Sequence, residues 1–131
     1  MKSTMHIGNT AMVTFTITKE MQPRFDGKIV HPVCSTWDLA HQFEIAARKA
    51  LVPHLEEGEE GIGASLSINH CAPAPLGRKV VAIATVTKFD ETTVVCSIEG
   101  TCGETIVATG EQTQRVFPIE VVHNIIANAS E

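Results

Sequence analysis

The sequence predicts an α+β fold in which an antiparallel sheet wraps around one long central helix. Residues 35–52 carry the apolar period of a helix, and no other stretch does so at that length. The segments on either side alternate apolar and polar residues and are rich in Val, Thr and Ile, as strands are. The last of these are joined by turns too short for anything but antiparallel neighbours.

Taken in order, residues 1–9 are polar and read as loose. Residues 10–18 alternate, with Val13, Phe15 and Ile17 on one face of a strand. Residues 19–34 contain Pro23, Gly27 and Pro32 and form a long connection, either a lid or substrate wall or a plain crossover. Ile29 and Val30 are the apolar contacts it offers. In the helix, Leu39, Phe43, Ala46, Ala47 and Ala50 build one stripe, Ser35 with Asp38 caps the start, and Pro53 ends it. The alanines let a sheet approach closely.

An acidic turn precedes the next strand, residues 61–71. Strict alternation there sets Ile62, Ala64, Leu66, Ile68 and His70 on one face, and Gly63, Ser65, Ser67, Asn69 and Cys71 on the other. His70 then looks at the helix. Pro73 and Pro75 break the strand. Residues 78–89, 92–102 and 104–117 complete a meander turned at Asp90-Glu91 and at Gly103, and Gly110 marks a bulge or a close approach. Pro118 opens a short helix with Ile119, Val122 and Ile126 on one side. This order is the hot-dog arrangement, expected as one domain over residues 1–131. One sheet layer on one helix leaves an apolar face partly bare, so a homodimer is expected, with a tetramer as the alternative.

Composition narrows the function. Hydrophobic residues are 44% and charged residues 19%, with one Trp, five Phe and no Tyr, so the core is aliphatic. The net charge is −5, and no basic stripe with interleaved aromatics suggests nucleic acid. No apolar run approaches the ~20 residues that span a bilayer, so no membrane partner is expected. The first residues lack the apolar centre of a signal peptide, so the protein is expected in the cytoplasm with its four cysteines reduced. Cys71 and Cys96 read as core or near-core. The six histidines form no ligand cluster with acids or cysteines, so no metal site is expected.

Three residues carry the chemistry. Thr36 stands at a helix N-terminus, where free N–H groups and positive partial charge polarise a carbonyl. Glu44, beside the apolar stripe, becomes a competent base or nucleophile if partly desolvated. His70 can shuttle a proton. Together they suit attack on an activated carbonyl such as a thioester. Each also has a plain structural reading: a cap, a solvated helix acid, a satisfied strand histidine. Thr36 and Glu44 lie about 80° apart around one helix and ~12 Å apart along it. They converge only if Thr36 bends back, if substrate lies between them, or if a second subunit supplies one.

Residues 36–77 resemble the hot-dog thioesterases of the fluoroacetyl-CoA thioesterase-like family. That family's Thr, Glu and His recur at Thr36, Glu44 and His70 with the same spacing. Pro53, Leu55, Glu56, Gly58 and Glu59 look like its P-x-L-E-x-G-E turn, and His70, Ala72, Pro75 and Gly77 like its H-x-A-x-x-P-x-G run. Gly63 matches the glycine that lies against substrate there, and Arg115 an arginine near the end of the last strand. The resemblance implies hydrolysis of an acyl-CoA by Thr36, Glu44 and His70. Gly63, Val30, Phe43 and Arg115 are then the expected substrate-binding residues. No cofactor is implied beyond coenzyme A as part of the substrate. The aromatic lid of the fluoroacetyl-specific member is missing or displaced here, where Phe25, Ile29 and Val30 stand. A different short or medium acyl group is therefore the expected substrate. Arg78, Lys79, Lys88 and Arg115 are candidates for the anionic nucleotide. The alternatives are a hot-dog enoyl-CoA hydratase or dehydratase, and a non-catalytic acyl-CoA-binding module.

Overall fold

The computed structural model describes residues 1–129, so the last two positions of the expected 1–131 domain lie outside the described residues. The elements in chain order are β1 (Thr10–Thr16), β2 (Arg24–Phe25), β3 (Lys28–Ile29), α1 (Thr36–Leu51), β4 (Glu59–His70), β5 (Lys79–Phe89), β6 (Thr93–Cys102), β7 (Thr105–Pro118) and α2 (Ile119–Asn128). Five strands form one sheet in the order β1-β5-β6-β7-β4, with antiparallel neighbours throughout. This is the predicted α+β, hot-dog arrangement, with α1 packed on the sheet's inner face.

The helix forms where the sequence places it, and its start is fixed chemically. The Ser35 hydroxyl accepts the Asp38 N–H at 3.2 Å and donates to Asp38 Oδ2 at 2.6 Å. That satisfies one of the helix's orphan donors. Leu39, Phe43, Ala46, Ala47, Ala50 and Leu51 are all buried. They meet the inward residues of β5 and β6, among them Val80, Ala82, Ala84, Val94 and Cys96. Phe43 is fully buried, and its burial contributes about 3 kcal/mol. Its ring occupies the space that side chains at Gly100 and Gly110 would take. A Cβ on Gly110 would also run into the Ser67 carbonyl oxygen, so this glycine marks a close approach rather than a bulge.

Register shifts fall elsewhere, at Val86/Lys88, at Gly100/Thr101 and in β4. Gly63 pairs with Gln114 and Ser65 with Thr113, leaving Ala64 as the extra residue. This shifts the alternation. Before the bulge, Gly61 and Gly63 face α1, against Leu51 and Glu44. After it, Leu66, Ile68 and His70 lie opposite Gln112, Gly110 and Ala108 on the same inner side. Strict alternation predicts Gly63 on the face away from His70; the bulge puts both toward the helix.

Three further expectations change. Residues 1–9 are tied down rather than loose. Met5 is buried, the Lys2 N–H donates to the His54 carbonyl at 2.7 Å, and the His54 ring bonds Thr4 Oγ1 at 2.8 Å and Asn9 Nδ2 at 3.3 Å. The long connection contains a small hairpin, β2–β3, turned by Asp26 and Gly27 with φ of 52° and 78°. Those paired positive angles suit a two-residue hairpin turn. Cys71 is exposed, while Cys34, Cys96 and Cys102 are buried, and all four thiols are free. Among the described residues no helix is long and apolar enough to cross a membrane.

Candidate active site

The first residue of α1 and the last residue of β4 meet. Thr36 Oγ1 lies 2.9 Å from His70 Nδ1, a hydrogen bond between exposed hydroxyl and half-buried ring. Thr36 and Trp37 occupy the first two helical positions, where backbone N–H groups have no carbonyl within the helix to bond. A hydroxyl, an imidazole and polarising donors therefore share one point. The other ring nitrogen, His70 Nε2, is buried without a hydrogen-bond partner among the described residues.

Glu44 stands apart from this pair. The helix is regular from Thr36 onward, so Thr36 does not bend back toward it. The Glu44 side chain is exposed, so its own chain does not supply the expected partial desolvation. It rests over Gly63, where an added Cβ would come 2.5 Å from Glu44 Oε1. Gln112 Nε2 donates to the same oxygen at 3.5 Å, a long bond. Trp37, His41, Glu44 and Arg48 follow one another at helical spacing along one exposed face of α1. Arg48 reaches from this face to the Gly61 carbonyl at 3.3 Å and to Glu60 Oε1 at 2.9 Å.

The four expected substrate contacts divide. Gly63 lies beside Glu44. Val30 is exposed at the base of the β2–β3 hairpin, its N–H donating to the Pro23 carbonyl at 3.0 Å. Phe43 is a core residue with no exposed surface in its own chain, its ring lying against Gly100 and Gly110. Arg115 faces outward, over the Phe117 ring at 5.8 Å, in register with Ile62 at the opposite end of β4 from His70. Within its own chain it is not part of the Thr36–His70 site.

The structure adds an aromatic pair near Thr36. Phe25 of the hairpin meets Trp37 edge to face, with ring centroids 5.8 Å apart, and both are more than half exposed. Trp37 follows Thr36 directly, so this pair borders the hydroxyl. The sequence signal was Asp26-Gly27, which predicts a hairpin and thereby places Phe25. A hollow of about 260 Å³ lies just past His70, lined by Ala72, Pro73, Pro75, Arg78, Cys102 and Thr105. A larger one, about 560 Å³, lies beside Glu59 and Phe89 and holds none of the three candidate residues. Cys34 and Cys96 make poor nucleophiles. Burial pushes the Cys34 thiol up to about 12, with the Asp38 carboxylate adding to the effect, and burial pushes Cys96 up to about 11. Among the described residues no group of His, Cys, Asp and Glu is placed to hold a metal ion.

A sheet curled about one long helix in this strand order is the hot-dog architecture of thioesterases. Residues 17–120 match the family described as FlK, fluoroacetyl-CoA-specific thioesterase, and the chain belongs to that family of thioester hydrolases. Its structure is similar to that of a hypothetical protein of Thermus thermophilus described as a thioesterase superfamily member. There the TM-score is 0.91 and the identity 31%, over 95% of this chain and 93% of that one. A hot-dog-like protein from Thermanaerovibrio acidaminovorans superposes with TM-score 0.87 at 22% identity, covering 94% and 91% of the two chains. A point mutant of the fluoroacetyl-CoA-specific thioesterase FlK gives TM-score 0.85 at 20% identity, covering 98% and 99%. At those identities the last two show the fold alone. No curated protein matches the chain.

Proposed function

We propose that the protein hydrolyses a short or medium acyl-CoA to the free acid and CoA, with Thr36, Glu44 and His70 as its catalytic residues. The observation that carries this reading is the 2.9 Å contact between Thr36 Oγ1 and His70 Nδ1 at the unpaired N–H groups of α1. The thioester lies between that point and Glu44, along the exposed face of α1 beside β4. Its carbonyl oxygen takes the helix N–H groups as the oxyanion develops. Water bonds to the acyl carbon and gives a proton to the Glu44 carboxylate. The carbon–sulfur bond breaks, and that proton ends on the CoA sulfur. The Thr36 hydroxyl, held by His70, fixes the carbonyl for attack.

No cofactor is needed beyond CoA in the substrate. Phe25 and Trp37 border the acyl end in place of the aromatic lid expected for a fluoroacetyl-specific enzyme, and Arg78 overlooks the hollow past His70 as a partner for the anionic nucleotide. The working unit is a homodimer in the cytoplasm. β4 is an edge strand whose residues 63–67 are exposed, and an edge of unpaired N–H and C=O groups takes a second copy by extending the sheet. That copy would cover Glu44 and supply the desolvation its own chain does not.

The test is thiol release from an acyl-CoA series of increasing chain length by the purified full chain. Release that falls by roughly a hundredfold or more, to a measurable residual rate, in Glu44→Ala and in His70→Ala is the expected result. Absence of release from every acyl-CoA in the series would remove the proposal.

A further inference from the structure

Gln112 is a polar residue in an apolar place. It lies on the inner face of β7 opposite Leu66 and is 1% exposed. Its Nε2 reaches Glu44 Oε1 at 3.5 Å, while its Oε1 is buried with no hydrogen-bond donor among the described residues. A buried acceptor left empty carries the full desolvation penalty of that group, so a fold that keeps one calls for a reason. The neighbouring glutamine, Gln114, has a plain one: its Nε2 donates to the Ala47 carbonyl of α1 at 3.1 Å. Gln112 serves no backbone group. It sits with Gly63 under the Glu44 carboxylate, where a Cβ on Gly63 would lie 3.6 Å from Gln112 Nε2.

We infer that Gln112 is a positioning residue for Glu44, an amide that matches this carboxyl in both of its protonation states. This rests on the proposed hydrolysis. When Glu44 is ionised, the Nε2–H of Gln112 donates to it and the amide oxygen stays empty. When Glu44 has taken the proton from water, it gains an O–H donor. That O–H bonds the amide oxygen while Nε2–H keeps its acceptor, closing a two-bond ring between acid and amide. The empty acceptor is therefore filled only after proton transfer, when the carboxyl most needs holding. The 3.5 Å bond is long for the resting state, as catalytic hydrogen bonds often are before substrate binds. A methionine would fill the same volume and meet neither need.

The experiment compares wild type, Gln112→Met, Glu44→Ala and the double variant in thiol release from the best acyl-CoA found, with melting temperatures alongside. Gln112→Leu is made as well, in case the methionine variant does not fold. Expected is a fall in kcat of roughly a hundredfold in Gln112→Met, with KM within about twofold. The melting temperature should be unchanged or raised, since the unpaired buried acceptor is gone. In the Glu44→Ala background the same change should cost nothing further. A wild-type kcat in Gln112→Met overturns the inference, as does a full further loss on top of Glu44→Ala. So does a drop in melting temperature in both the Met and Leu variants that tracks their loss of rate. If wild type itself releases no thiol, the hydrolase reading fails first; if it does and Gln112→Met matches it, only this inference fails.

Discussion

Thr36 Oγ1 and His70 Nδ1 lie 2.9 Å apart although thirty-four positions of chain separate them. One side chain begins the helix and the other ends the edge strand. The contact thus records where the sheet stops curling over the helix. Neither side chain has another hydrogen-bond partner among the described residues, so the pair is sensitive to change at either end.

Thr36→Val keeps the shape and removes the hydroxyl, and His70→Ala removes the ring. Each is expected to lower kcat/KM for thiol release by roughly 10²–10³-fold, the usual weight of a donor that fixes the reacting carbonyl. Melting temperature should change little in Thr36→Val, because the side chain is exposed. A Thr36→Val enzyme running at the wild-type rate would contradict the assigned role.

Two glycines on the inner face should respond differently to alanine. At Gly63 the new methyl meets the Glu44 carboxylate, the end of an exposed side chain that can swing away. Activity should fall while the fold persists. At Gly110 the methyl meets the Ser67 backbone carbonyl and the Phe43 ring, neither of which can yield. That variant should lose about 1–3 kcal/mol by denaturant unfolding. Equal stability losses in the two variants would refute this distinction.

Phe25→Ala and Trp37→Ala each break an edge-to-face pair worth about 0.5–1.5 kcal/mol. Both rings are largely exposed, so the expected effect falls on substrate choice more than on folding. A chain-length profile of kcat/KM should shift toward bulkier acyl groups in both variants. Unchanged profiles would place this pair outside the acyl path.

The Arg48–Glu60 pair gives a pH test. The hydrogen bond from Arg48, then that from the Gly61 N–H, hold the Glu60 carboxyl below its ordinary value of 4.5. A depressed carboxylate stabilises the fold above the unfolded value and loses that contribution as pH falls through the folded one. The pair is exposed, so the effect is about 1 kcal/mol or less. Wild type should exceed Arg48→Met in stability at neutral pH, with the gap narrowing below pH 4.5. It should not vanish, because Arg48 also donates to the Gly61 carbonyl. Urea midpoints measured from pH 7 down to pH 3 check this, and a gap that widened in acid would count against it.

Much of the fold was legible because its signals are local. Ser35 with Asp38, the alanine stripe and Pro53 mark α1, and the turn residues mark the meander. The inner face of β4 was not legible, because any residue type can occupy a bulge and Ala64 carries no sign of one. The β2–β3 hairpin had a signal in Asp26-Gly27 that was absorbed into a long connection. The N-terminal segment looked loose because its tether, His54, is distant in sequence. Their places at a helix start and a strand end, and the family resemblance, brought out Thr36 and His70, but the roles of Phe43 and Arg115 depended on which face each presents. That is a tertiary fact, as is the burial of Gln112.

The extra residue at Ala64 also sets terms for engineering. The two halves of β4 run in opposite phase, so the histidine cannot be transplanted into a regular strand by copying its distance from the glycine. Deleting Ala64 would leave a regular strand that keeps both the glycine and the imidazole on the inner surface, because it shortens their separation by one and preserves the pairing with β7. Libraries that vary this segment should therefore treat its length and its bulge as a single choice.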